Sequence, residues 1–207
     1  MNVFLLILIP FLSYLIGSIP FGPLIGRIAA DTDITKLGSG NTGATNVARE
    51  LGIKWGLTTL LLDITKGFLP VYIVTNFYNP PGGWLLITVP VSLLLGHRFS
   101  PFLRFRGGKG VATALGIFLA LSPVIVLILF AVFILIVYLT DYVSLGSIIA
   151  SCTMPVILYF TGENPDLFIT ASCLAVIICV THADNIIRLI NGSERRWKDR
   201  KSGKDIK

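Results

Sequence analysis

The sequence predicts an all-α, polytopic integral membrane protein of about seven transmembrane helices, with its N-terminus outside and its C-terminus in the cytoplasm. Three observations carry this. Of the 207 residues, 54% are hydrophobic and only 14% charged, against about a quarter charged in soluble domains. The apolar residues gather into runs such as VIVLILFAVFILIVYL, and a bilayer core about 30 Å thick takes roughly 20 apolar residues per helix. The basic residues, finally, collect in a few loops and at one end.

Apolar periodicity, with breakers between the runs, delimits seven spans: 3–26, 56–77, 82–96, 109–121, 123–140, 143–160 and 166–186. The opening MNVFLLILIP lacks the basic n-region and the small-residue cleavage site of a secretory signal, so it reads as a retained span. In the second span Asp63 and Lys66 stand three residues apart. Ionisable groups in a span are costly unless paired or facing a polar interior, so these two read as a structural ion pair in preference to a direct catalytic role. His97 follows the third span as a turn residue bordering a polar loop. The fourth span is short and is either a crossing or a re-entrant segment. Cys152, Cys173 and Cys179, in the late apolar runs, lack metal-ligand spacing and read as small packing residues.

Charge decides the fourth span. With the tail SERRWKDRKSGKDIK in the cytoplasm, seven crossings put Arg27, Lys36, Arg49 and Lys54 in the first inner loop. Arg98, Arg104, Arg106 and Lys109 fall in the second, and eight more cations at the C-terminal end, so 16 of 17 Lys and Arg are inside or at the inner face. The outer loops, NPPGG, the 121–123 turn and TGENPD, hold none, as the positive-inside rule requires. The whole chain reads as one transmembrane domain, with 190–207 a basic cytoplasmic tail. Its net charge of +6 calls for anionic headgroups and no nucleic acid, since no aromatic platform or nucleic-acid module accompanies it.

Three polar stretches on that inner side carry the chemistry. In GSGNTGATNVAR (38–49), Gly38, Gly40 and Gly43 let backbone amides converge on an anion, and Ser39, Asn41, Thr42, Thr45 and Asn46 add side-chain donors. Arg49 follows on a short helix with a fork suited to phosphate oxygens. The glycines formally match a dinucleotide fingerprint, but no strand precedes them and Asp63, at the expected distance, lies in a span. In GHRFSPFLRFRGGKGVAT (96–113), Gly107, Gly108 and Gly110 surround Lys109 where a helix begins, a favourable place for an anion. Lys109 is followed by glycine, which excludes a Walker A loop. In THADNIIRL and NGSERR (181–196), a continuing helix puts His182, Asn185 and Arg188 on one face, able to bind a hydroxyl and a phosphate together.

At these residues the chain resembles the bacterial acyl-phosphate-dependent glycerol-3-phosphate acyltransferases, membrane enzymes of phospholipid synthesis. GSGNTGATNVAR, GHRFSPFLRFRGGKGVAT and HADNIIRLINGSER look like that family's three motifs, in order, and DITKG around Asp63 and Lys66 extends the likeness. The resemblance implies transfer of a fatty acyl group from acyl phosphate to the 1-hydroxyl of glycerol 3-phosphate, giving lysophosphatidate and phosphate. It implies that Ser39, Arg49 and Lys109 grip glycerol 3-phosphate, with His182 and Asn185 on its hydroxyls. Gly107, Gly108, Gly110 and first-loop donors (Gly40, Thr42, Gly43, Asn46) would hold the acyl phosphate, Asn41 and Thr45 would brace that loop, and Arg188 and Glu194 would be outer supports. The base is either His182 or a phosphate oxygen of the donor. No metal or other cofactor is expected, because no carboxylate cluster suits Mg²⁺. A soluble-headed acyltransferase dyad is excluded, since the positions five beyond His97 and His182 hold Phe102 and Ile187. A transporter of a phosphorylated metabolite or organic anion is the rival class. Against it, the phosphate motifs share one face and no paired broken helices mark inverted halves.

Overall fold

The computed structural model describes residues 3–78 and 83–198. Among them there are helices and no strand. In chain order they are α1 (Val3–Gly17), α2 (Phe21–Ala30), α3 (Ala44–Leu51), α4 (Ile53–Phe77) and α5 (Trp84–Arg98). Then come α6 (Val111–Leu121), α7 (Pro123–Thr140), α8 (Val143–Phe160), α9 (Pro165–Thr181) and α10 (Ala183–Ile190). Most of the NPPGG loop and the tail beyond Lys198 lie outside the described residues.

Five described stretches are long and apolar enough to cross a membrane: Val3–Ala30, Ile53–Phe77, Trp84–Leu103, Pro123–Thr140 and Val143–Phe160. The pair α9–α10, bent by 59°, makes a sixth when taken as one span. The expected seven differ from this at three elements. The 3–26 run is interrupted, because Pro20 has no N–H to continue the ladder and the chain restarts at Phe21. The segment 109–121 becomes α6, which begins only at Val111 and has 11 residues. At 1.5 Å per residue that is about 16 Å, roughly half the hydrocarbon thickness. The last run, 166–186, breaks at His182 and does not continue as one helix.

Small residues explain how the helices pack. A side chain on Gly67 of α4 would strike the Thr113 carbonyl of α6, and one on Gly116 would strike the Ile64 carbonyl. Gly17 and Gly96 give α1 and α5 the same close approach. Where lipid removes the hydrophobic drive between helices, such backbone contact is what holds them. Val71, Leu93, Ile117, Met154, Leu174 and Ile178 fill the main core between α4, α5, α6, α8 and α9. By contrast α7 buries only Ile125 and Val126 of its 18 residues, the pattern of a helix apolar all round and facing lipid. Hydroxyls inside the apolar helices satisfy themselves locally. Thr59, Ser147 and Thr153 donate to carbonyls four residues back at 2.8–2.9 Å.

A second, smaller core of Ile25, Ile34 and Val47, with Leu37, Leu51 and Trp55 against it, folds the 31–43 segment onto α2, α3 and α4. The first polar stretch is therefore an ordered surface. Asp63 and Lys66 form the expected pair, Oδ1 to Nζ 2.7 Å. The cysteines are free, and Cys152 on α8 and Cys179 on α9 bring their sulfurs to 3.3 Å.

Candidate active site

Asn46 organises the first loop. From the first turn of α3 its buried amide reaches back across the glycines. Oδ1 accepts from Ser39 N at 2.9 Å and Ser39 Oγ at 3.0 Å. Nδ2 donates to the carbonyls of Ile34, Leu37 and Asn41 at 3.0–3.2 Å. All the hydrogen-bonding capacity of Asn46 is thus used within the loop, which makes it a brace, in place of the substrate donor the sequence suggested. Asn41 braces too, its Oδ1 accepting from Gly43 N at 2.8 Å. Gly38 and Gly40, at φ +59° and +70°, take the left-handed turns that let the loop wrap that amide. Ser39 and Gly40 are exposed, Thr45 is half-buried and Thr42 is buried.

The second loop folds back on the end of α5. Gly107 N donates to Arg98 O at 2.8 Å and Gly108 N to His97 O at 3.2 Å. Those two amides are consequently turned inward, and the amides left for an anion are those of the first turn of α6, from Val111, which have no carbonyl one turn back. Gly110 caps that helix at φ +84°, a conformation glycine adopts without strain. His97 is no peripheral turn residue. It is buried, with Nδ1 3.3 Å from Thr113 Oγ1.

The third stretch is bent in place of continuous. His182 sits at the break, 2% exposed, and its Nδ1 lies 2.8 Å from Ile178 O. A carbonyl only accepts, so Nδ1 carries the proton and Nε2 of the neutral ring is left as an acceptor. The single helical face predicted for His182, Asn185 and Arg188 therefore holds only for the last two, on α10. Both turn to Glu194: Asn185 Nδ2 donates to Oε1 at 2.7 Å and Arg188 Nε to Oε2 at 2.8 Å. Ser144 Oγ, from the start of α8, donates to Oε1 at 2.8 Å. Asn185 Oδ1 is buried with no hydrogen-bond partner among the described residues.

Backbone contacts join the three stretches. Arg49 donates to the carbonyls of Arg195 and Arg196 at 3.2 and 3.3 Å, tying α3 to the segment after α10. Thr181 Oγ1 donates to Lys109 O at 3.1 Å, tying the second loop to the end of α9. A side chain on Gly108 would meet His97 on one side and Thr42 on the other, so the first and second loops touch there. Burial pushes the Lys109 ammonium down to about 8, Glu194 draws it up, Arg188 and Arg49 push it down, and Asp184 draws it up. Cations of the first and third stretches thus act on Lys109 electrostatically. For Glu194, burial works upward, but the hydrogen bonds from Asn185, Arg188 and Ser144 outweigh it and hold the carboxyl below its ordinary range. Among the described residues no cluster of three or more His, Cys, Asp or Glu forms a metal site.

A family model for glycerol-3-phosphate acyltransferase matches residues 7–192. The chain belongs to that family. Among similar relatives, the glycerol-3-phosphate acyltransferase of Syntrophotalea carbinolica is 48% identical over 186 residues, covering 90% of this chain and 94% of that one. The glycerol-3-phosphate acyltransferase of Fusobacterium nucleatum is 45% identical over 190 residues, covering 90% and 95%. Among solved structures, PlsY (YgiH), an integral membrane glycerol 3-phosphate acyltransferase, is similar in its glycerol 3-phosphate form, with a TM-score of 0.87 and 38% identity over 92% of this chain and 94% of that one. Its lysophosphatidic acid form gives a TM-score of 0.86 at the same identity and coverage.

For this acyltransferase-family chain, motif reading passes over Ser144 and Thr181 and places His97 at the edge. Ser144 offered one signal, a serine in the first turn of an apolar helix, and Thr181 another, a hydroxyl directly before the motif histidine. Neither signal specifies its partner, because Glu194 and Lys109 lie 50 and 72 residues away.

Proposed function

We propose that this chain acylates glycerol 3-phosphate in phospholipid synthesis, taking the fatty acyl group from acyl phosphate and releasing lysophosphatidate and inorganic phosphate. The observation that carries the reading is that backbone contacts bring the stretches bearing Arg49, Lys109 and Arg188 together, through Arg49 on the Arg195 and Arg196 carbonyls, Thr181 on the Lys109 carbonyl and Gly108 against Thr42. Such a cluster suits a phosphate ester. That solved relatives were captured in glycerol 3-phosphate and lysophosphatidic acid forms supports the substrate and the product.

In this reading Ser39, Arg49 and Lys109 hold the phosphate of glycerol 3-phosphate. Asn185 Oδ1, the buried acceptor without a partner, takes a glycerol hydroxyl, and His182 Nε2 accepts from the 1-hydroxyl. The first-turn amides of α6, with Thr42 of the first loop, receive the acyl phosphate, while Gly40 and Gly43, whose amides donate to Leu37 O and Asn41 Oδ1, shape that loop in place of the donor role the resemblance implied. Gly107, Gly108 and Gly110 shape the turn, Asn41, Thr45 and Asn46 brace the first loop, and Arg188 and Glu194 support α10. The 1-hydroxyl oxygen bonds to the acyl carbon, the acyl–phosphate C–O bond breaks, and the hydroxyl proton leaves its hydrogen bond to His182 Nε2 for an oxygen of the departing phosphate. An acyl phosphate is already activated, so fixed donors and orientation supply what the reaction needs, and His182 orients the nucleophile.

Counting α6 as a crossing, with α9 and α10 as one, gives seven spans in one transmembrane domain, with the N-terminus outside. The site then faces the cytoplasm at the inner membrane, where the soluble ester and the lipid-like donor meet. The basic residues of the inner loops support this placement.

The test is purified protein with palmitoyl phosphate and labelled glycerol 3-phosphate. Lysophosphatidate and phosphate formed in equal amounts, with no other protein, are the expected result. Uptake into sealed vesicles without acylation would establish a transporter instead. Thiol labelling of single cysteines at 38–49 and 104–110, blocked only by reagents on the cytoplasmic side, checks the orientation.

A further inference from the structure

Asp63, Lys66 and the His97 side chain, buried beside the site, have no part in the reaction as described. Asp63 and Lys66 pair at 2.7 Å on α4, their side chains 2% and 3% exposed. Lys66 Nζ also donates to Ile19 O at 2.9 Å, in the break between α1 and α2. His97 Nδ1 stands 3.9 Å from Asp63 Oδ1 and 3.3 Å from Thr113 Oγ1. The pocket among Asp63, Lys66, His97, Thr42 and Ser100 holds about 10 Å³. That is room for one water at most and none for a substrate. The route from the cluster to the reaction therefore runs through what packs against it.

What packs against it is the phosphate loop. The carbonyl of His97 receives Gly108 N at 3.2 Å. Its imidazole fills the space where a Gly108 side chain would stand, opposite Thr42 of the first loop, and its carbonyl fills the corresponding space at Gly107. Lys109 is the next residue, and Thr181 fixes its carbonyl from the other side. We propose that His97, seated on the Asp63–Lys66 pair and on Thr113, is a positioning residue that sets the Gly107–Gly110 turn and so aims Lys109 at the phosphate of glycerol 3-phosphate. The proposal rests on the reading of Lys109 as a phosphate grip.

The test measures calorimetric binding of glycerol 3-phosphate to the full-length protein, without any acyl donor, together with its unfolding temperature. His97→Ala is expected to weaken binding about tenfold in the wild-type background but less than twofold on Lys109→Ala, because coupled residues are not additive. Thr113→Val, which keeps the volume and removes only the hydroxyl, is expected to show the same pattern at about threefold, in line with one hydrogen bond, and it stands in should His97→Ala fail to fold. Full affinity in either folded variant, or losses that multiply independently with Lys109→Ala, overturns the proposal. Wild-type protein that does not bind glycerol 3-phosphate overturns the reading of Lys109 itself, a different outcome from wild-type binding with His97 variants unaffected.

Discussion

Two carboxylates adjoin the candidate site, and they are held in opposite ways. Glu194 sits at the end of the helix bundle and collects three donors, from Ser144, Asn185 and Arg188, at 2.7–2.8 Å. Asp63 sits inside α4 against one cation, Lys66, with a histidine beyond hydrogen-bond reach at 3.9 Å. The first is a hub of distributed hydrogen bonds whose Arg188 partner is 40% exposed and can be rehydrated. The second is a closed pair with little recourse to water. Hydrogen bonds shared among several donors fail gradually, whereas a buried pair deprived of one member leaves a charge without compensation.

The largest effect expected from that difference is on stability. Asp63→Asn leaves the Lys66 ammonium buried without its counter-charge, a situation that costs about 3–5 kcal/mol. The double variant Asp63→Asn/Lys66→Met removes both charges and is expected to recover most of the loss. Thermal unfolding in detergent reads both, and a double variant as unstable as the single would show that the pair is not a closed unit.

Lys109 feels Glu194 electrostatically and follows Gly108, which packs on His97 beside Asp63, so its removal tests what both sides hold. Lys109→Ala is expected to lower kcat/KM for glycerol 3-phosphate by about 10²–10³, the range for loss of one preorganised charge-stabilising donor, with the unfolding temperature nearly unchanged. Initial rates of lysophosphatidate formation measure it. A loss of stability as large as that of Asp63→Asn would reassign Lys109 from the site to the scaffold.

Glu194→Gln comes next. The amide keeps one acceptor but turns its own N–H groups toward Ser144, Asn185 or Arg188. Loss of a hydrogen bond to a charged group is worth about 1.5–3 kcal/mol, less whatever water restores. Activity is therefore expected to fall by about tenfold, with the unfolding temperature moving far less than in Asp63→Asn. Equal thermal shifts in the two variants would erase the contrast between hub and pair.

These supports differ also in how far the sequence discloses them. The spacing of Asp63 and Lys66, three apart in an apolar run, is enough to pair them, because a helix puts i and i+3 on one face and lipid forbids leaving either alone. The hub around Glu194 follows from no periodicity, since its donors come from α8 and α10 and converge only through the turn after α10. The apolar run of α7 reads directly as a helix because it buries almost nothing. The breaks at Pro20 and His182 and the short α6 do not, because hydropathy records composition and not direction, and Gly67 and Gly116 let α6 hide against α4 without spanning length. In the loops, glycine-rich composition announces an anion cradle but not which amides face it. That depends on Arg98 and His97 carbonyls receiving Gly107 and Gly108.

The pH dependence of Lys109 separates the two supports most finely. Burial depresses its ammonium to about 8, with Glu194 drawing it up, Arg188 and Arg49 pushing it down and Asp184 drawing it up. A lysine is charged below its pKa and neutral above it. The grip on phosphate is therefore complete below about 8 and lost as pH rises through that value. Since kcat/KM reports the free enzyme, it is expected to fall about tenfold per pH unit on the alkaline side. The second ionisation of a phosphate monoester, near pH 6, is over by then and does not produce this limb. Lys109→Arg, charged beyond pH 12, should abolish the limb whatever its absolute rate. Glu194→Gln removes the carboxylate that raises Lys109 and should move the limb to lower pH. Asp63→Asn, which does not enter the Lys109 field, should leave the limb in place even where the protein is less stable. A limb that moved equally in both variants would mean that the two carboxylates act on Lys109 through one network, and the distinction between hydrogen-bonded hub and closed pair would not hold.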